Sequence, residues 1–361
     1  MPNSPNSYVR RGIQGLAGYT PGEQLPGRRV IKLNTNECPY PPSPEVGRAA
    51  AAFDWTALNR YPDPSSGPVR EAAARLFGFH PDEIICGNGS DDLLTIALRT
   101  FVDAGDGFAY PEPSYSLYPV LADLQGACKL PFELDDDFGL RVEEVLKRTD
   151  GAKLLILPNP NAPTGNAFPR EDLLQLCRRF KGVVWIDEAY ADFADFNCLD
   201  FVRQFPNVVV SRTFSKSYAL AGLRLGMAFA NASLVFEMNK LKDSYNVDRF
   251  AQCIGCAALA DQRYLHETVA RIRASREAAT AFFQSRRCQV LPSQANFILV
   301  RPAWRSAREI FAALRDRGIL VRHFDLPRVS DYLRITIGTP EQMQELFDAF
   351  DRLDCPGGEK P

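Results

Sequence analysis

The 361-residue chain has only three histidines, His80, His266 and His323, far apart and with no HExxH-type spacing. A metal centre or a histidine-based triad therefore lacks its parts, and no metal is expected. A basic excess is missing too: 42 Lys and Arg face 44 Asp and Glu, a net charge of -2. Nucleic acid and anionic membrane surfaces need a positive field, so neither is expected as a partner. No apolar run approaches the roughly 18 to 20 residues of a membrane span. The opening MPNSPNSYVRRG lacks the apolar core of a secretory signal, and a cytoplasmic location is expected. The nine cysteines are odd in number and scattered from Cys38 to Cys355, which fits reduced thiols better than a disulfide framework. The closest pair, Cys253 and Cys256, has no second pair or nearby histidine to complete a ligand set; its spacing suits one buried helix face. Repeats and low-complexity tracts are absent.

What remains is a composition with 45% hydrophobic and 24% charged residues, enough for a large core and two domains. Residues 1–30, rich in Pro, Gly and Arg, read as an N-terminal arm. Between about 80 and 230, the runs EIIC, GFAY, KLLILP, GVVWID, NVVVS and LGMAFA read as buried strands. DDLLTIALRTFV, SLYPVLADL and REDLLQLCRRF read as helices between them. This alternation predicts an α/β fold with a mostly parallel, doubly covered sheet. A long helical pattern from about Asp248 to Arg286 leads away from it, and the remaining strand and helix patterns predict a smaller α+β domain. The expected division is an arm at 1–30, a large domain at 31–262 and a small C-terminal domain at 263–361.

Four stretches carry chemistry. In 84-IICGNGSDDLLTIAL-98, a strand, a Gly-rich turn and a helix start place Ser90 and Asp91 where free amides and a dipole end form a phosphate cradle. The stretch lacks the third glycine of a dinucleotide fingerprint, which counts against a nicotinamide-dependent dehydrogenase. In 158-PNPNAPTGNAF-168, Pro and Gly stop a strand and leave polar groups at its carboxyl end. In 183-VVWIDEAYADF-193, Asp187 ends an apolar strand, where a carboxylate needs a cation or strong donor. In 211-SRTFSKSYALAGLRLG-226, Lys216 sits among hydroxyl residues at a strand end; partial desolvation there lowers its pKa and makes it a nucleophile towards aldehydes. Arg224 follows with a guanidinium suited to phosphate. Taken alone, Lys216 fits a solvated surface, but these companions point elsewhere.

The order of these parts resembles the pyridoxal-phosphate (PLP) enzymes of the aspartate aminotransferase fold, and more narrowly the histidinol-phosphate aminotransferase family. The resemblance runs from LNTNECPYPPSP through RYPDPSSGPVREA, GNGSDD, PEPSYSLY, NPNAPTG, DEAYADF, RTFSKSYALAGLRLG and YNVDRFAQ to PSQANF and YLRITIGT, nearly the whole chain. It implies a large domain of the seven-stranded PLP-transferase type and transamination of histidinol phosphate with 2-oxoglutarate, giving imidazole-acetol phosphate and glutamate, in histidine biosynthesis. An aromatic or broad-specificity aminotransferase and a threonine-phosphate decarboxylase share the fold and cofactor and stand as alternatives.

The resemblance also implies roles. Lys216 becomes the Schiff-base lysine and proton shuttle. Asp187 pairs with the pyridine nitrogen, and Tyr190 donates to the phenolic oxygen. Tyr115 stacks on the ring. Ser90, the backbone at Asp91, Ser215 and Arg224 hold the phosphate. Tyr61 reaches the phosphate of a neighbouring subunit, which implies a homodimer with shared sites. Arg334 takes the carboxylate or phosphate of the substrate, with Arg322 and Tyr19 as phosphate-side helpers, and Asn36 lines the cleft. One departure stands out. The residue before Pro-Thr-Gly is usually an asparagine that donates to the phenolic oxygen, and here it is Ala162. That bond is expected from Asn161 or Asn159, shifted, or from Tyr190 alone; losing one hydrogen bond to an anionic oxygen costs on the order of 1.5 to 3 kcal/mol.

Overall fold

A computed structural model describes residues 8–10, 12–16, 18, 22–24 and 30–353. Strand β1 (Ile31–Lys32) comes first, followed by β2 (Ile84–Gly87), β3 (Gly107–Glu112), β4 (Cys128–Glu133), β5 (Ala152–Pro158), β6 (Val183–Asp187), β7 (Val208–Thr213) and β8 (Gly226–Ala230). The latter seven form one sheet in the order β2-β8-β7-β6-β5-β3-β4, in which only β8 runs against its neighbours. Side chains alternate across it. Leu154, Ile156, Trp185 and Val209 enter the core on one face, and Leu155, Leu157, Val184, Ile186, Val208 and Val210 enter the core on the other. Both faces are covered, so the strands read as continuous apolar runs.

Six of these strands coincide with the apolar runs of the sequence. The seventh, β4, does not: it is an edge strand, half exposed, and Pro131 sits within it. Pairing on one side only tolerates a residue without an N–H, and it leaves no apolar run to read.

The long helical pattern is two helices, Arg249–Ala260 and Gln262–Ser285. Asp261 separates them. Its carboxylate accepts from the Tyr264 amide at 3.2 Å and from Ser43 Oγ at 2.5 Å, so it starts the second helix as an N-cap. Cys253 and Cys256 are half-buried, flanking the face formed by Ala251, Ile254, Gly255 and Ala258. The eight described cysteines are free.

Beyond Ser285, β9 (Gln289–Val290), β10 (Phe297–Arg301), β11 (Ile319–Leu320), β12 (Arg322–His323) and β13 (Leu333–Thr336) follow. An antiparallel sheet orders them β12-β13-β10-β9, while β11 pairs in parallel with β1, Ile31 opposite Ile319. The chain just after the arm is thereby stitched to the C-terminal part, which brings 33-LNTNE-37 over the carboxyl ends of β5, β6 and β7. Among the described residues, no helix is long and apolar enough to cross a membrane.

Candidate active site

A cavity of about 240 Å³ opens at those carboxyl ends, where an open α/β sheet leaves free backbone groups and room between its connections. Lys216 and Asp187 both line it, delivered by the neighbouring strands β7 and β6. Lys216 is half-buried, and its Nζ donates to the Thr35 carbonyl at 3.2 Å. Burial and the nearby Arg334 guanidinium bring its pKa down to about 8, with Glu37 and Asp91 pulling the other way. An amine at that value has a minor but usable neutral fraction near physiological pH, far larger than that of an ordinary lysine, and can act as nucleophile and base.

Asp187 is buried, and burial raises its pKa to about 6. Tyr118 Oη donates to its Oδ2 at 3.0 Å and Ser211 Oγ to its Oδ1 at 3.4 Å. These donors hold the carboxylate in one orientation, and a cation placed against it would restore a low pKa. Tyr118 is a member of the site that the motifs did not reveal. The available signal is its spacing of three from Tyr115, at the start of the helix Leu117–Gln125. Burial and the adjacent Asp187 drive its hydroxyl pKa well above the ordinary value, so it remains a donor.

A second unforeseen group lies behind the strand ends. Arg212, buried, pairs through Nε with Glu188 at 2.8 Å and through Nη1 with Asp192 at 2.6 Å; Asp192 in turn accepts from Ser217 Oγ. The cluster ties the residue after Asp187 to the residue after Lys216. An arginine inside the apolar run NVVVSRT was its only sign in the sequence, since a charge there demands partners.

The Gly-rich turn and Arg224 meet at the cavity wall. Gly89 (φ +84) precedes the helix Ser90–Phe101, and a Cβ there would lie 2.5 Å from Arg224 Nη2. Only glycine lets the guanidinium approach the free amides of that helix start. Arg224 itself occupies the left-handed region at φ 55, an uncommon conformation for a side-chain-bearing residue. Its Nη1 meets Ser215 Oγ at 3.4 Å and its Nη2 meets Asp91 Oδ2 at 3.4 Å, while Tyr115 Oη donates to Asp91 Oδ1 at 3.2 Å. Ser114 Oγ, also on the cavity wall, is buried with no hydrogen-bond partner among the described residues. A helix start, an arginine, hydroxyls, a lysine and a deep carboxylate on one cavity fit pyridoxal phosphate: anion cradle, aldehyde-capturing amine and partner for a ring nitrogen.

The opposite wall is cationic. Arg322 and Arg334 are register partners on β12 and β13, so both project to the same side. Phe324 lies between them, 5.4 Å from the Arg322 guanidinium and 5.2 Å from that of Arg334. Arg334 Nη2 also donates to the Asn34 carbonyl at 2.8 Å. This pair suits an anionic substrate group.

The hydrogen bond expected from Asn161 or Asn159 is not offered to the cavity. Asn161 is buried with its amide spent on the Pro113 carbonyl (3.1 Å) and Thr164 Oγ1 (2.7 Å); the loop presents Pro160, Ala162 and Pro163 to the cavity instead. Asn159 is likewise turned inward, its Oδ1 accepting from the Phe168 amide at 2.8 Å. Asn36 does line the cavity, but its amide is engaged by Tyr190 and Thr336 rather than offered to a substrate. Tyr61, expected at a neighbouring subunit's phosphate, lies outside the cavity of its own chain, 75% exposed and stacked on Tyr245 at 4.3 Å. Tyr19 lies outside the described residues.

The family described as aminotransferase class I and II matches residues 28–350. Proteins named histidinol-phosphate aminotransferase from Syntrophotalea carbinolica and Geotalea uraniireducens are each 46% identical to this chain; the alignments cover 94% and 96% of it and 98% and 99% of those relatives. A crystal structure of histidinol-phosphate aminotransferase from Sinorhizobium meliloti in complex with pyridoxal-5'-phosphate superimposes with a TM-score of 0.88 at 27% identity, over 96% of this chain and 98% of that one.

Proposed function

The chain belongs to the class I and II aminotransferases and, within them, to the histidinol-phosphate aminotransferases, and from that membership we propose that it moves the amino group of histidinol phosphate to 2-oxoglutarate. It is a PLP-dependent transaminase of fold type I. The observation that carries the reading is the convergence of Lys216, Asp187 and the Gly89–Arg224 cradle on one cavity from three separate connections of the sheet.

Bound pyridoxal phosphate supplies an aldehyde that condenses with amines and a ring that accepts the electrons left when the substrate Cα–H bond breaks. The remaining work falls to side chains. Lys216 Nζ, neutral above about pH 8, would hold the aldehyde carbon and serve as the base for the substrate Cα proton. Asp187, aligned by Tyr118, would hold the pyridine nitrogen protonated. Arg224, Ser215 and the amides at Ser90 and Asp91 would hold the phosphate, and Tyr115 would stack on the ring. Arg334 and Arg322 take the phosphate of one substrate and a carboxylate of the other, since a planar guanidinium pairs with both anions. Tyr19 belongs to the same phosphate-side set.

The exposure of Tyr61 and its distance from the cavity of its own chain support a homodimer in which it completes the partner's phosphate site. Division into a large part ending at residue 262 and a small part beyond is part of the same reading, supported by the helix break at Asp261. A half-reaction test decides the substrate. Histidinol phosphate added to the PLP-loaded protein is expected to convert the visible cofactor band to that of pyridoxamine phosphate, and 2-oxoglutarate to restore it. Conversion by phenylalanine or threonine phosphate but not by histidinol phosphate would sink the proposal.

A further inference from the structure

Asn36 is held more firmly than a cleft-lining residue needs to be. It sits at φ 56, in the left-handed region, and is buried. Its backbone N–H donates to Thr336 Oγ1 at 3.0 Å, and its carbonyl accepts from Asn296 Nδ2 at 3.0 Å. Thr336 Oγ1, already an acceptor from that amide, sends its own proton to Asn36 Oδ1 at 3.1 Å. With Oδ1 accepting the Thr336 hydroxyl proton, the group 2.9 Å from the Tyr190 hydroxyl is the Nδ2 donor.

Tyr190 is equally constrained. Its ring packs edge-on against Phe297 at 5.2 Å and against Ala162 and Ala295, which leaves rotation of the hydroxyl hydrogen as its freedom. A hydroxyl that accepts from Asn36 must aim its own hydrogen elsewhere, and the open direction is the cavity that Tyr190 lines. Where the resemblance implies an asparagine donating to the cofactor's phenolic oxygen, this chain has Ala162, and both nearby asparagines face inward.

We propose that Asn36 is a positioning residue that locks the Tyr190 hydroxyl as a donor into the cavity, offsetting the missing asparagine at position 162. The proposal rests on the pyridoxal-phosphate reading above. Charged groups facing Tyr190 are Lys216, with Nζ 5.8 Å from the ring centroid, Arg334, Asp187 and Asp91. None is altered by the variants below, so their fields stay constant.

The test uses the protein loaded with pyridoxal phosphate and without substrate, and reads the pH midpoint of its visible band. That midpoint marks loss of the proton shared by the lysine nitrogen and the phenolic oxygen, and a donor aimed at that oxygen lowers it. Asn36→Gly keeps the left-handed backbone, carries no charge and removes the amide. It is expected to raise the midpoint by about half a unit to one unit, the size of one net hydrogen bond. In a Tyr190→Phe background the same substitution is expected to do nothing more, because the two act as one unit. Thr336→Val, which frees the amide to turn over, is expected to shift the midpoint in the same direction and serves if Asn36→Gly does not fold. An unmoved midpoint in whichever of these folds, or an equal shift with Tyr190 already gone, overturns the assignment of Asn36. A parent protein with no visible band on loading overturns the cofactor reading itself.

Discussion

Arg212 and Lys216 leave the same end of β7, yet one meets two carboxylates and the other meets another cation. Behind the strand ends, Arg212 is ion-paired with Glu188 and Asp192 and lies over the Phe77 ring. Burial works against its charge, but the two carboxylates outweigh that and push its pKa above the ordinary value. In front, Lys216 donates to the neutral Thr35 carbonyl, and burial with the facing Arg334 outweighs Glu37 and Asp91 and pulls its pKa down to about 8. Burial of a charge therefore does not by itself mark chemistry. The surroundings decide: a fully compensated cation braces the fold, and an under-compensated one is ready to lose its proton.

The largest expected effect breaks the comparison at Lys216. Lys216→Met should lower transamination by about 10⁴-fold or more and abolish the visible band. Thermal unfolding of the cofactor-free variant should come at the same or a higher temperature, since an apolar side chain replaces a desolvated charge.

Arg212→Ala should do the reverse, costing about 3 to 5 kcal/mol by leaving Glu188 buried and unpaired. Denaturant titration measures this loss, and a stable variant would show that the cluster does not brace the fold. The pH dependence of aldehyde capture sharpens the contrast. The rate at which cofactor-free protein takes up pyridoxal phosphate should rise with pH and level off above about 8, where Lys216 is neutral; an ordinary lysine would keep rising to about 10.4.

A smaller effect concerns Asp187, whose pKa is about 6 without a cation beside it. A bound pyridinium lowers that value, so cofactor affinity is full above pH 6 and falls by up to tenfold per unit as pH drops below it. Equilibrium binding measured from pH 5 to 8 checks the slope. Tyr118→Phe, which removes a donor to the carboxylate, should move the onset to higher pH. The smallest change is expected from Ser217→Ala. Loss of its hydrogen bond to Asp192 should cost about 0.5 to 1.5 kcal/mol of stability and leave the aldehyde-capture profile in place.

Much of this was legible beforehand because it is written locally. Alternating apolar strands and helices gave the layered sheet, and Gly89, Ser215, Lys216 and Arg224 sit in short stretches whose spacing carries their chemistry. The edge strand around Pro131 and the helix break at Asp261 escaped. An edge strand needs no apolar run, and a single capping carboxylate looks like any surface residue until Ser43 and the Tyr264 amide converge on it. Tyr118 and Arg212 escaped because a tyrosine and an arginine become informative only when a partner from another strand is known.

The sequence alone determined which groups are available: an amine, a strand-end carboxylate, an anion-binding turn, two arginines near the C-terminus and no asparagine at position 162. Only the tertiary structure decided how each is used. It turned Asn161 inward and brought Asn36 and Thr336, 300 residues apart, together beneath the Tyr190 hydroxyl. Hydrogen-bond direction and desolvation depend on neighbours that the chain supplies from a distance, and no local pattern records them.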